Sequence, residues 1–298
     1  MPENVSNLHG RSFEYAITDE LRRLPGATLT LQAQGDQARD AANFLQLPVN
    51  LAERFRAGAR CIVHNLHRLL PCGVALNNVT IDRLPDTAGM AAHSNVTDIQ
   101  LSFPDYVLNL SIKNNHFALK HQRPPSLMQQ LGCEKNSQED REYRNGMQII
   151  FETFYKEAHE LMPHAVNFRD LTACQGNFID NHLYEPVCNY IYLKLQKELL
   201  NQEKCKHFFQ FLVGETNFTK IILLDDHVEV EKFNKIPVPT SCAVSHPDNS
   251  YIHLAFNNGW LLTLRLHTAA SAMGQHSPSL KFDTQGVKLP IEVESWEL

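Results

Sequence analysis

One stretch of the sequence brings an acid, a lysine and a basic cluster close together: "TDIQLSFPDYVLNLSIKNNHFALKHQRP", residues 97–124. Asp98 and Lys113 flank a Pro-Asp turn in a segment of alternating apolar residues. A carboxylate can hold a hard divalent cation such as Mg²⁺, and an ammonium group beside it can orient a water molecule or contact a phosphate. The pair is therefore typical of metal-assisted phosphodiester hydrolysis. On spacing alone, a surface ion pair worth well under ~1 kcal/mol explains it better.

The apolar residues of this stretch predict the register of the hairpin that must carry the pair. With Pro104-Asp105 as the turn, the apolar side has three facing pairs: Phe103 with Tyr106, Leu101 with Leu108, and Ile99 with Leu110. On the other side Asp98 faces Ser111, and Lys113 is its diagonal neighbour. Because a slip of one residue would turn the apolar set to solvent, the pattern predicts that these three polar side chains lie together.

A single carboxylate is thin support for a metal ion, so a second one is needed. Glu14 is the best candidate, because a helix packed on the sheet could aim it at the hairpin. Taken alone, Glu14 is better explained as a solvated helix residue.

The segment "KNNHFALKHQRPP" after the hairpin is rich in amide and cationic side chains: Asn114, Asn115, His116, Lys120, His121, Gln122 and Arg123. Amide and guanidinium groups read base edges, and lysines position phosphates, so the composition indicates a DNA-contacting loop. The alternative is a solvated loop. A zinc site at the two histidines has no CxxC or HExxH partner, and the sequence does not favour it.

Apolar periodicity predicts helices at 11–24, from about residue 36, at 51–70, from residue 136 and at 181–200. Strands follow at "FFQFLVG", "TKIILLD", "YIHLAF" and "LLTLRLH". The last two flank Asn258-Gly259, a hairpin-turn signature. This order predicts an α+β chain with an N-terminal part, 1–200, that contains the hairpin segment 95–113, and a strand-rich part, 201–298, packed on it. The alternative is that both halves share one sheet.

The strand "LLTLRLH" has two chemically different faces. Leu262, Leu264 and Leu266 point one way, and Arg265 and His267 point the other. With Lys281 nearby, the two polar residues could face DNA. An ordinary half-buried strand with a wet outer face explains the pattern equally well, and Trp260 is expected to pack in the core.

Composition bounds the class of protein. The 298 residues are 43% hydrophobic and contain no apolar run of the ~20 residues that a membrane-spanning helix needs. The N-terminal stretch lacks the features of a signal peptide, so we expect a cytoplasmic protein. A net charge of −6 is unlike most nucleic-acid binders, although positive charge can be confined to one cleft. Seven cysteines without a CxxC pair argue against a disulfide framework or a structural zinc site.

Three ordered blocks resemble the HaeIII-type restriction endonucleases of the PD-(D/E)XK nuclease superfamily: "GRSFEYAI", "TDIQLSF…YVLNLSIKNNHFALKHQRP" and "FNNGWLLTLRLHTAAS…SPSLKFD". The resemblance implies an α/β nuclease core, in which helices flank a mixed sheet, and a divalent metal, Mg²⁺. It also implies double-stranded DNA as the substrate, cleaved within a short palindrome such as GGCC, and a companion DNA methyltransferase in a prokaryotic cell.

Carried over residue by residue, the resemblance assigns Asp98 to the first acid of the family motif, Lys113 to its lysine and Glu14 to the helical glutamate. Ser111 stands two residues before the lysine, where the motif usually has Asp or Glu. Serine is a poor metal ligand, so Glu14 is the first choice for the second carboxylate. An amide oxygen of Gln129 or Gln130 is a weaker choice.

The expected function is that of a type II restriction endonuclease. A homodimer is expected, because two-fold protein symmetry matches a palindromic site. Two alternatives remain open: a repair or structure-specific nuclease, and a non-catalytic DNA-binding module on a decayed nuclease fold.

Overall fold

The computed structural model describes residues 5–84, 96–274 and 276–298; residue 95, the first of the predicted hairpin segment, lies outside them. The helices of the described ranges are α1 (Val5–Leu21), α2 (Leu31–Leu45), α3 (Val49–His64), α4 (Leu127–Gln130), α5 (Gln138–Leu161), α6 (Phe168–Cys174), α7 (Glu185–Glu198) and α8 (Gln202–Val213). The strands are β1 (Thr28–Leu29), β2 (Thr80–Arg83), β3 (Ile99–Phe103), β4 (Tyr106–Asn114), β5 (Lys120–Gln122), β6 (Phe218–Leu223), β7 (His227–Phe233), β8 (Cys242–Asp248), β9 (Tyr251–Phe256), β10 (Leu261–Thr268), β11 (Leu280–Lys288) and β12 (Glu292–Glu297). None of these helices has the length and apolar character needed to cross a bilayer.

The strands form two sheets. The central sheet has seven strands in the order β1-β2-β3-β4-β6-β7-β12. Its β1–β2 and β4–β6 pairs are parallel and its other pairs are antiparallel. The second sheet is antiparallel, in the order β5-β11-β10-β9-β8. The predicted α+β organisation with a mixed sheet is therefore confirmed.

Helices α1 and α3 pack on the central sheet and bury its apolar residues. Phe13 and Ile17 of α1 and Phe55 of α3 lie in one core cluster with Leu110 and Ile221 of the strands. The predicted helix is confirmed, and the apolar residues on one face of it, Phe13, Ala16, Ile17 and Leu21, are all buried. The helix begins at Val5, earlier than the predicted residue 11.

A second core lies between the second sheet and helices α5, α7 and α8. It contains Phe154 of α5, Phe208 of α8 and Leu264 of β10. Trp260, at the turn between β9 and β10, has no exposed surface and packs edge-on against Phe209. The prediction that Trp260 is a core residue is confirmed.

The predicted strand "FFQFLVG" is wrong, because residues 208–213 form the end of α8 and Gly214 caps it. Cys205, Phe208, Phe209 and Leu212 are buried at the spacing of one helical face. The Asn201 side chain caps the helix by accepting a hydrogen bond from the Lys204 backbone N–H. A short apolar run fits either element, and here the cap and the helical spacing decide.

The predicted boundary near residue 200 stays a prediction. Strand pairs cross it in both sheets: β6 of the C-terminal part pairs with β4, and β5 of the N-terminal part pairs with β11. The chain changes sheets between Asn114 and Lys120, directly after the residues of the predicted site.

Gly58 allows α3 to approach the central sheet closely. A Cβ at this position would lie 2.8 Å from Leu223 Cδ1 and 3.2 Å from Phe13 Cε2. We expect Gly58→Val to lower the free energy of unfolding by about 1–3 kcal/mol through overpacking. Gly35→Ala in α2 is the control, because its Cβ meets nothing within 4 Å. Urea unfolding that left both variants as stable as the parent would contradict this packing.

Candidate active site

The hairpin β3–β4 has the register that its apolar pattern predicts. The facing pairs are Phe103 with Tyr106, Leu101 with Leu108, and Ile99 with Leu110. Asp98 extends this ladder by one residue, and its backbone N–H donates to Leu110 O at 2.8 Å. The alternation therefore sets Asp98 opposite Ser111, as expected from the sequence.

Three donors converge on Oδ2 of Asp98. The Ile112 backbone N–H lies at 2.6 Å, Lys113 Nζ at 3.2 Å and Ser111 Oγ at 3.3 Å. Ser111 is 2% exposed, so its hydroxyl contacts the carboxylate from the buried side. Asp98 and Lys113 remain about a quarter exposed, at 29% and 26% of their side chains. The carboxylate and the amine are thus held in one orientation while solvent still reaches them.

Glu14 on α1 reaches the same end of the hairpin. Burial, followed by the negative charge of Asp98, raises the pKa of Glu14 to about 7, against the opposing effects of Arg83 and Lys113. Glu14 is paired with Arg83, which lies opposite Ile99 in the β2–β3 ladder, one residue from Asp98, so the helical carboxylate lies at the Asp98 end of the hairpin. The structure therefore brings together the acid, the lysine and the helical glutamate that were selected from the sequence.

A buried ion network that the sequence reasoning missed orients Glu14. Arg83 Nη2 donates to Glu14 Oε2 at 2.8 Å and lies 2.9 Å from Asp40 Oδ2. Arg83 Nη1 donates to Gln37 Oε1 at 3.2 Å. The sequence did contain one signal. Arg83 stands two residues after Ile81 in β2 and so points to the same buried side, where a charged residue needs a partner.

The residues at this site fit a divalent cation. Two carboxylates that repel each other, one of them with its pKa raised to about 7, form a site where a cation would relieve the repulsion. Carboxylate oxygens and water are the ligands that Mg²⁺ prefers. Asp98 and Glu14 are the residues that would hold the ion.

The raised pKa of Glu14 predicts a pH-dependent loss of stability. Unfolded, this carboxyl has its ordinary pKa near 4.5. Between about pH 4.5 and 7 the folded protein therefore holds Glu14 protonated, whereas the unfolded chain does not. The stability that this proton gives the folded state is complete below about pH 4.5 and is lost as the pH rises through about 7. In EDTA at pH 8, we expect Glu14→Gln to be more stable than the parent by on the order of 1 kcal/mol, a value reduced for the 21% exposure of the side chain. At pH 4.5 the difference should shrink.

Urea unfolding at the two pH values measures this effect. Glu20→Gln is the matched control, because Glu20 lies on the same helix, has a 20% exposed side chain and pairs with Arg23 at 2.9 Å. A Glu14→Gln protein that is less stable than the parent at pH 8 would contradict the interpretation.

The next two candidate DNA-contacting residues lie where β4 ends. Asn114 Oδ1 accepts a hydrogen bond from Arg54 Nη2 at 2.7 Å, and Arg54 also pairs with Asp225. Asn115 has a φ of 48°, a left-handed conformation that asparagine tolerates, and it turns the chain away from the central sheet.

Two of the three β5 residues, Lys120 and Gln122, are more buried than the sequence suggested. Gln122 is 3% exposed, and its Nε2 lies 3.5 Å from Thr284 Oγ1. The structure therefore removes Gln122 from the candidate DNA-contacting surface, because β5 pairs with β11 and turns this side chain inward. Lys120 Nζ lies over the Phe211 ring at 3.8 Å, and burial lowers its pKa to about 8. Arg123 is exposed and donates to Leu280 O at 3.1 Å.

The remaining candidates gather around Asp283 on β11. His121 Nδ1 and Asp283 Oδ1 are 2.5 Å apart, and His267 Nε2 lies 2.8 Å from Asp283 Oδ2. Lys281 Nζ is 3.8 Å from Asp283 Oδ1. Arg265, opposite Asp283 in the sheet, is exposed, and the ring of His116 lies 5.1 Å from that of His121.

The two glutamines considered as weaker metal ligands have other partners. Gln130 is buried and its Nε2 donates to Arg123 O at 2.9 Å. Gln129 Nε2 lies 3.5 Å from Asp140 Oδ1 on α5. These contacts give no support to a role as ligands, because both amide nitrogens are directed at partners other than Asp98 and Glu14.

No family model and no solved structure matches the chain. The chain is similar to the type II restriction enzyme HaeIII of Haemophilus aegyptius, with 22% identity over 329 residues. The similarity covers 97% of this chain and 96% of that enzyme. It therefore indicates a relationship to a restriction endonuclease over nearly the whole length of the chain.

Proposed function

We propose that the chain is a type II restriction endonuclease that uses a divalent metal to hydrolyse phosphodiester bonds at a short site in double-stranded DNA. The observation that carries the proposal is the convergence of Asp98, Lys113 and Glu14 at one end of the β3–β4 hairpin. The similarity to HaeIII over nearly the whole chain supports the same reaction class.

A PD-(D/E)XK-like core is part of this proposal. The mixed sheet, the hairpin and a packed N-terminal helix with an inward glutamate all agree with it. Ser111 replaces the usual second acid, and its hydroxyl donates to Asp98. In this chain we assign the second carboxylate of the site to Glu14.

The chemistry follows from the residues at the site. A Mg²⁺ ion held by Asp98 and Glu14 would neutralise charge on the phosphate and lower the pKa of a bound water. Lys113, fixed 3.2 Å from Asp98 Oδ2, places a positive charge where the scissile phosphate and the attacking water meet. Arg83 holds Glu14 in place, and Ser111 with the Ile112 N–H does the same for Asp98.

The proposed DNA contacts come from exposed side chains that follow β4 and from the second sheet. Asn115, Arg123 and Arg265 are candidates for phosphate or base contacts. Positive charge confined to this surface would reconcile DNA binding with the net charge of −6. A homodimer on a palindrome such as GGCC, and a methyltransferase that protects the same site, complete the proposal.

Digestion of a mapped plasmid tests the function. With Mg²⁺ we expect discrete, reproducible fragments with one common terminal sequence, and with EDTA no cleavage. Random or junction-limited nicking would favour the repair or structure-specific nuclease. DNA binding without cleavage under any divalent cation would favour the non-catalytic module and overturn the proposal.

A further inference from the structure

A second cluster of metal-ligating side chains lies in the second sheet. His116, His121 and Asp283 each offer one ligand atom, and these atoms lie within 4.8 Å of one another. His116 is in the segment that crosses between the sheets, His121 is on β5 and Asp283 is on β11. None of them contacts Asp98 or Glu14 among the hydrogen bonds and ion pairs of the described residues.

The sheet register creates this cluster from distant parts of the sequence. His121 and Asp283 face each other in the β5–β11 pair, although they are 162 residues apart. The ring of His116 lies 5.1 Å from that of His121. Its segment is also anchored to the central sheet, since Lys220 Nζ donates to Phe117 O at 2.9 Å. Because Asp283 is so far from the histidines in the sequence, no search for a local histidine motif could have found it.

Two imidazoles and one carboxylate are a ligand set for a first-row transition metal. Zn²⁺ binds histidine nitrogen and carboxylate oxygen at about 2.0–2.2 Å, which sets tetrahedral ligand atoms roughly 3.3 Å apart. The His121–Asp283 contact of 2.5 Å would have to open by about 1 Å, a change that side-chain rotation supplies. Such an ion would replace the hydrogen that the two groups now share.

The protonation states of His116 and Asp283 favour metal binding. Burial, followed by the positive charge of His121, lowers the pKa of His116 to about 4, so its imidazole is neutral at pH 7. Although burial of Asp283 opposes it, hydrogen bonds from His121 and His267 hold the pKa of Asp283 well below its usual range. A neutral imidazole and an ionised carboxylate are the forms that ligate metals.

One further contact orients the carboxylate. His267 Nε2 lies 2.8 Å from the second oxygen of Asp283, the kind of outer contact that fixes a metal-binding carboxylate. Lys281 Nζ, 3.8 Å from Asp283 Oδ1, competes for the same anion, and a partly exposed lysine can move into solvent.

We propose that His116, His121 and Asp283 bind a zinc-class cation that fastens the segment between β4 and β5 to the second sheet. The site is distinct from the proposed magnesium site and does not depend on the proposed function. The bound ion would restrain a segment that starts at Asn115, two residues after Lys113.

Zinc binding to the untagged full-length protein tests this proposal. Competition with a chromophoric chelator should show one tightly bound Zn²⁺ per chain. His116→Ala, whose ring carries no buried ion pair, should weaken the affinity by about 100-fold or more, since even outer-shell losses cost about 10–100-fold. Asp283→Asn is the second variant, and circular dichroism and thermal unfolding establish that both variants fold.

His253→Ala is the matched control, because this exposed histidine lies on β9 of the same sheet. Its zinc affinity should equal that of the parent. The Co²⁺-loaded parent should show d–d bands without thiolate charge-transfer absorption, which separates the site from the free cysteines. Absence of stoichiometric zinc, equal affinity in folded His116→Ala, or a thiolate spectrum would overturn the proposal.

Discussion

Asp98→Asn is expected to reduce metal-dependent cleavage of duplex DNA by at least about 1000-fold. This loss corresponds to about 4 kcal/mol of transition-state stabilisation, the several kcal/mol that a bound metal ion contributes. The asparagine side chain can still accept the Ile112 N–H and the Ser111 hydroxyl hydrogen bonds, so the hairpin should keep its shape. The charge that holds the cation is the property that the substitution removes.

Asp105→Asn is the matched control for this variant. Asp105 lies on the same hairpin, at its exposed turn, and we assign it no part in the site. Initial cleavage rates on a mapped plasmid should fall only for Asp98→Asn, and binding of the uncut plasmid without metal should be equal. Full activity in Asp98→Asn would refute the assignment of this residue.

Arg83→Ala is expected to have the largest effect on stability, a loss of about 3 kcal/mol in the free energy of unfolding. Arg83 is 2% exposed and Asp40 has no exposed surface, so the truncation leaves a buried carboxylate without its inner partner. Breaking a buried pair in this way costs about 3–5 kcal/mol. We expect the lower end, because Arg39 still pairs with Asp40 at 2.8 Å.

Urea denaturation with Arg22→Ala as the control measures this prediction. Arg22 makes an exposed contact with Asp19 at 3.8 Å, and exposed pairs contribute about 0–1 kcal/mol. Equal losses in the two variants would show that the buried network does not stabilise the fold. At sub-denaturing temperatures Arg83→Ala should also lower cleavage, because Glu14 loses the group that orients it.

The hairpin could be predicted residue by residue because its information is local. A period of two over Ile99–Phe103 and Tyr106–Asn114 admits one register that buries the apolar face. The start of α1 was predicted too late, and "FFQFLVG" was predicted as a strand although it ends a helix. Caps and tertiary packing decide where helices end and which element a short apolar run forms.

Some residues of the candidate site could likewise be predicted from local sequence, and others could not. Asp98, Ser111 and Lys113 follow from one hairpin, whereas the approach of Glu14 depends on how α1 packs across the sheet. The sequence suggested Glu14 from its place on a helix that could pack on the sheet, and the family resemblance assigned it the same role. Arg83 and Asp40 were not predicted, because they meet through the tertiary packing of β2 and α2. Asp283 was missed for the same reason, since only the β5–β11 pairing brings it to the histidines.

The central claim is that Asp98 and Glu14 hold one divalent cation beside Lys113. Calorimetric titration of Mg²⁺ into the full-length protein at pH 8 tests it most directly, because Mg²⁺ prefers oxygen ligands and should not occupy the histidine cluster. The parent and Asp105→Asn should bind Mg²⁺ alike, and Asp98→Asn and Glu14→Gln should each lose that binding. Mg²⁺ binding that is unchanged in both site variants would contradict the account.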